Sequence, residues 1–186
     1  AGLQLKAAAE KAGNPIYLEM SSVNPIFVLP GALRERGAAI AKDLFDSCAL
    51  GAGQFCTRPG LTIVQDSPDA QAFLREAQGH FAGATPGTLL GIAGRDAIGQ
   101  ALKVLTAHGA EILAGGRAID GGRVSFASTL LRVTGDAFLA DPEALQTEAF
   151  GTVNMVVVVR DAVQMTAIAA AIDGNLTGCI YSDTAG

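Results

Sequence analysis

Residues 51–83 read "GAGQFCTRPGLTIVQDSPDAQAFLREAQGHFAG". The stretch changes character twice. Gly51, Gly53, Pro59 and Gly60 make residues 51–60 poor helix and poor strand. "LTIVQ" at 61–65 is short, apolar and rich in β-branched residues, the pattern of a buried strand. Ser67 then suits an N-cap, Pro68 suits the first helical position, and residues 67–83 read as helix. Loop, strand and helix in this order make one repeat of an alternating α/β chain.

The same alternation extends outward in both directions. Upstream, residues 2–12 have helix formers at helical apolar spacing, and "GNP" at 13–15 breaks them. "IYLEM" at 16–20 and "PIFVL" at 25–29 read as short strands around the loop "SSVNP". Residues 32–50 read as a helix with Leu33, Ile40, Leu44 and Phe45 on one face, stopped by Gly51 and Gly53. Downstream, 87–94 is ambiguous, and 95–110 is helical. Strands are expected at 111–116, 124–133, 153–160 and 176–182, with a helix or turn at 141–153 and a helix at 161–172. The run "MVVVV" at 155–159 suits a strand buried on both faces. The fold class expected is α/β, a mostly parallel sheet with helices on both faces. The first helix starts at once and the last strand stops against "DTAG", so a fragment of a longer chain is expected.

Composition narrows the partners. The 186 residues are 49% hydrophobic and 17% charged, with a net charge of -5, which describes an ordered α/β chain of one or two domains. There is no Lys/Arg run, which argues against nucleic acid. No stretch approaches the ~20 apolar residues of a membrane span, and no leader pattern is visible, so no membrane partner is expected. Three cysteines, Cys48, Cys56 and Cys179, form neither a disulfide framework nor a metal-ligand spacing, which favours a reducing, cytoplasmic setting. His80 and His108 lack partners at ligand spacing and read as surface helix residues, so no metal is expected.

Three places carry possible chemistry. Cys56 sits in permissive backbone, where N–H groups can face the sulfur and a ligand can approach; Arg58 adds a positive charge two residues on. The alternative is a small apolar residue packed in a turn, the reading that suits Cys48 in its helix and Cys179 in its strand. Glu19 ends an expected strand between apolar neighbours and a turn, either a site residue or an outward-pointing strand end. Glu148 and Phe150, in "TEAFG" at 147–151, precede a buried strand. A carboxylate there can accept two ribose hydroxyls and a phenyl ring can pack on a flat ring; the alternative is a surface glutamate.

In this order the three stretches resemble the aldehyde dehydrogenase superfamily. "LEMSSVNP" resembles the general-base motif LELGG.NP, "GQFC" the nucleophile motif GQ.C, and "EAFGT" the cofactor motif E.FGP. Positions 19 and 56 are 37 residues apart, positions 56 and 148 are 92 apart, and the resemblance spans residues 2–182. The details look most like ketoglutarate-semialdehyde (2,5-dioxovalerate) and NADP-preferring fatty-aldehyde dehydrogenases. The resemblance implies Cys56 as nucleophile, Glu19 as the base that activates water, Glu148 on the nicotinamide ribose and Phe150 beside the ring. It also implies half an oxyanion hole from the Cys56 N–H, NAD or NADP as cofactor, a small-molecule aldehyde as substrate, and a homo-oligomer at full length. Residues 1–20 would be the tail of the cofactor-binding domain, with Ala1-Gly2 the last trace of its phosphate motif. Residues 21–186 would be a catalytic domain incomplete at its C-terminus. Alone, the fragment is expected to be inactive. Met20-Ser21-Ser22 in place of LGG and Thr152 in place of proline depart from the pattern. The rival readings are a CoA-acylating reductase and a non-catalytic scaffold or oligomerisation module, both of the same fold.

Overall fold

The computed structural model describes residues 2–185; Ala1 and Gly186, where the two expected domains begin and end, lie outside the described residues. Helix α1 (Gly2–Lys11) leads into residues 14–25, which form neither helix nor strand. Strand β1 (Ile26–Val28) runs into α2 (Pro30–Ala49), closed by a 3₁₀ turn at Leu50–Gly53. Next come β2 (Leu61–Gln65), α3 (Pro68–Gly83), α4 (Ile92–Ala107) and β3 (Glu111–Ala114). A minimal hairpin, β4 (Ala118–Ile119) and β5 (Ser125–Phe126), precedes β6 (Thr129–Thr134), α5 (Gly135–Ala140) and α6 (Pro142–Leu145). Strand β7 (Val153–Val159), α7 (Ala162–Ala171) and β8 (Cys179–Tyr181) follow.

The main sheet has the order β3-β6-β7-β2-β1-β8. Every pairing from β6 to β8 is parallel, and only the edge strand β3 runs antiparallel. Strand periodicity of two sends alternate side chains to opposite faces. Val28, Val64, Leu130 and Val156 pack on one face against Leu33, Ile40 and Leu44 of α2 and Phe73, Leu74 and Phe81 of α3. Ile63, Leu131, Val133 and Val157 pack on the other against Ile98, Leu102 and Leu105 of α4, Phe138 of α5 and Ile168 of α7. Helices on both faces explain why β7 can be apolar at nearly every position. Local signals hold at the helix starts. The Ser67 hydroxyl accepts from the Ala70 N–H at 3.1 Å, and the Asp161 carboxylate accepts from the Gln164 N–H at 2.8 Å.

Several expectations fail for identifiable reasons. Residues 16–20 are not a strand: no neighbouring strand pairs with them, and Tyr17 is 95% exposed. The strand expected at 124–133 splits at Ala127-Ser128, where the Thr129 hydroxyl donates to the Ala127 carbonyl at 2.7 Å and accepts from the Gly116 N–H at 3.0 Å. Helix α5 was not foreseen, although Thr134 caps it by accepting from the Ala137 N–H at 3.2 Å. Cys48 is buried as expected, but Cys179 is exposed, because it lies on an edge strand paired on one side only among the described residues. His80 is half-buried on α3 against the Phe45 ring. His108 is exposed at the end of α4, its Nε2 3.3 Å from the Asp141 carboxylate.

Candidate active site

Strands β7, β2 and β1 are neighbours in the sheet, and Glu148, Cys56 and Glu19 all lie in the segments that lead into them. Because the strands are parallel, these segments emerge at one end of the sheet. That end is the amino end. The common tendency of open α/β sheets is to bind ligands at the carboxyl ends. Here the chemically equipped residues precede their strands, and so the opposite edge is furnished.

The thiol turn is held from several sides. The chain leaves α2 through Gly51, Ala52 and Gly53, all with positive φ (57°, 59° and 72°). A Cβ on Gly53 would stand 2.1 Å from the Gly151 carbonyl carbon, so the thiol turn and the "EAFGT" turn pack backbone to backbone. Cys56 itself is exposed. Its N–H donates to no protein group among the described residues, while its carbonyl accepts from the Asn24 side-chain amide at 2.9 Å. The same amide donates to the Arg58 carbonyl at 2.8 Å. Asn24 is 2% exposed and sits at φ 46°, a conformation asparagine tolerates better than most residues. Its own side-chain oxygen accepts from the Ser22 hydroxyl at 2.7 Å. The Asn175 side-chain oxygen, in the loop before β8, accepts from the Val23 and Asn24 N–H groups at 2.7 and 2.9 Å. Asn24 thus ties the segment bearing Glu19 to the thiol turn, and Asn175 ties that segment to the loop before β8. Neither was singled out from sequence; for Asn24 the signal was an asparagine directly before proline in a turn.

Arg58 does not lend its charge to Cys56 as expected. It is 3% exposed and turned into the core. One Nη donates to the Pro59 carbonyl at 3.1 Å and also to the Val153 carbonyl. On that side it faces Cys48, whose thiol donates to the Pro59 carbonyl at 3.2 Å and is pushed up to about 12 by burial. Two cysteines near one turn therefore have opposite characters, one exposed and one sealed.

Glu148 is half-buried, and burial pushes its carboxyl up. The Arg58 charge, the Ser22 N–H and the Ser21 hydroxyl pull it back, and the Glu19 charge repels it. Ser21 and Ser22, the departures noted at the sequence level, therefore lie against this carboxylate. Glu19 is exposed, and Phe150 is 37% exposed at the mouth of the same turn. The thiol, two carboxylates and a phenyl ring thus lie on segments leading into neighbouring strands at the amino end of the sheet. Among the described residues no group of three His, Cys, Asp or Glu side chains is placed to hold a metal.

The family model described as "Aldehyde dehydrogenase family" matches residues 1–186. Alpha-ketoglutaric semialdehyde dehydrogenase 2 of Azospirillum brasilense is 37% identical over 171 residues, covering 91% of this chain and 32% of its own length. The chain therefore spans about a third of the curated relatives it matches. Among solved structures, lactaldehyde dehydrogenase from Escherichia coli superposes with a TM-score of 0.83 at 22% identity, over 98% of this chain and 39% of that one. An NAD-dependent aldehyde dehydrogenase from Sinorhizobium meliloti gives 0.80 at 22% identity, over 97% and 36%. At these identities the two structures speak to the fold.

Proposed function

This chain belongs to the aldehyde dehydrogenase family, and from that premise we propose that it is the thiol-bearing part of an enzyme oxidising an aldehyde to a carboxylic acid. The observation that carries the reading is the exposed thiol of Cys56, its carbonyl tied by Asn24 to the segment that bears Glu19. Cys56 Sγ adds to the aldehyde carbon, and the oxygen that becomes negative lies within reach of the unpaired Cys56 N–H. A well-placed donor of this kind lowers such a barrier by about 3 kcal/mol. What a nicotinamide dinucleotide supplies when bound is a hydride acceptor, which turns the adduct on Cys56 into a thioester. Glu19, solvent-exposed, takes a proton from water, which attacks the thioester, releases the acid and restores the thiol.

The residues present fit that cofactor. Glu148 is a half-buried carboxylate, an acceptor-only group of the kind that takes a ribose diol. Phe150 offers a flat apolar surface two positions on. The Sinorhizobium relative supports NAD, and NADP suits the same contacts. The Azospirillum relative supports a semialdehyde, ketoglutarate semialdehyde, as substrate. In this reading residues 1–20 end the cofactor-binding domain, and residues 21–186 belong to the catalytic domain of a longer, homo-oligomeric, cytoplasmic protein. No helix among the described residues is long and apolar enough to cross a membrane.

The test is Glu19→Gln in the full-length protein, followed in rapid and steady-state kinetics. The first hydride transfer should persist as a burst, while turnover falls by roughly 10²–10³ as deacylation loses its base. Undiminished steady-state turnover would remove the role. Turnover restored by coenzyme A would instead favour the acylating reductase, and a wild-type protein with no burst at all would be a scaffold.

A further inference from the structure

This inference rests on the reading of Glu148 as the carboxylate that takes the cofactor ribose. Arg58 is a nearly sealed cation with no carboxylate in salt-bridge contact among the described residues. A buried charge is costly unless something compensates it. Two carbonyls, those of Pro59 and Val153, accept from its Nη1, while its Nε is buried without a partner. On one side stands the Cys48 thiol, which stays neutral and offers no counter-charge. On the other, Arg58 and Glu148 line one small cavity with Val23, Thr147 and Met155. Among the described residues, the carboxylate that shares this cavity with the guanidinium is Glu148. Val153 begins β7, directly after the turn that carries Glu148 and Phe150. Arg58 in turn follows Cys56 by two positions, and its own carbonyl is held by Asn24.

We propose that Arg58 is a positioning residue for Glu148: its guanidinium, tied to the first carbonyl of β7, orients the carboxylate with which it lines one cavity. The thiol turn and the ribose-binding turn are then one unit, and disturbing either moves the other. The charged groups facing Glu148 are Arg58, which favours its charge, and Glu19, which opposes it; Ser21 and Ser22 beside it are neutral. Removing the cation leaves burial and Glu19 unopposed. The carboxylate then takes up its proton at a higher pH, and binding that needs the ionised form fails sooner as pH falls.

The experiment measures NAD and NADP affinity by calorimetry from pH 5 to 9 in the full-length protein, for wild type, Arg58→Gln, Arg58→Lys and Glu148→Gln. Arg58→Gln should bind the dinucleotide about tenfold more weakly, because the carboxylate loses the cation facing it across the cavity. Its midpoint for loss of binding should also move to higher pH, which loosened packing alone would not cause. Glu148→Gln should bind weakly with that pH dependence gone. A folded Arg58→Gln with wild-type affinity and midpoint, beside a weakened Glu148→Gln, overturns the role of Arg58 and leaves that of Glu148 standing. Wild-type binding by Glu148→Gln overturns both. If Arg58→Gln does not fold, Arg58→Lys decides: it keeps the charge and loses the fork, so affinity should fall about threefold with the midpoint unmoved. Wild-type affinity in Arg58→Lys overturns the proposal.

Discussion

Cys48 and Cys56 show how little a residue's identity says without its surroundings. Cys48 lies in α2 with no exposure, and burial pushes its thiol up to about 12. At pH 8 that leaves it about a thousandfold less thiolate than an ordinary cysteine. Cys56 is open to solvent, as is Cys179. Alkylation of the native protein at pH 8 should therefore label Cys56 and Cys179, and Cys48 only after denaturation; mass spectrometry of timed samples would read this directly. Comparable labelling of Cys48 in the folded state would contradict its burial. The contrast was half legible in the sequence. Helical neighbours marked Cys48 as packed, and glycines marked Cys56 as accessible. The sequence misled at Cys179, because a short apolar run reads alike at the centre and the edge of a sheet.

Elements bring the residues into register. The turn after α2 needs three successive positive φ values, and glycine occupies two of the three positions. Gly53 has a second duty, since its Cα faces the backbone of Gly151 with no room for a methyl group. Gly53→Ala should thus both strain φ and push two turns apart. Expected destabilisation is about 3 kcal/mol, read from urea denaturation, together with slower alkylation of Cys56. A change below about 0.5 kcal/mol, the range of neutral surface substitutions, would mean the two turns do not meet as described. The glycines were visible in the sequence, and so was their use as a helix stop. Their use as a contact surface was not, because the partner glycine lies far along the chain. The strand expected at 16–20 failed for a related reason. Its apolar residues had the right spacing, but strands exist only by pairing, and none pairs there.

At the scale of the whole molecule, one sheet separates two apolar layers. Val156 and Val157 are adjacent in β7, both fully buried, and belong to opposite layers. Val156→Ala and Val157→Ala should each cost about 2 kcal/mol, since each removes two buried methyl groups and leaves a small void. If one proves neutral in denaturation, its layer is not closed. Chain order and apolar periodicity determined this much unaided: alternation fixes an α/β sheet, and unbroken valine runs need cover on both sides. The motifs likewise offered Cys56, Glu19, Glu148 and Phe150 as candidates. Only the tertiary structure decided that β7, β2 and β1 are neighbours, which gathers the segments preceding them at the amino edge. It alone turned Arg58 into the core, onto the Pro59 and Val153 carbonyls, and brought Asn24 under the thiol turn. The physical reason is range. Periodicity, caps and turns act over a few residues, whereas strand order and the compensation of a buried charge depend on groups distant in sequence.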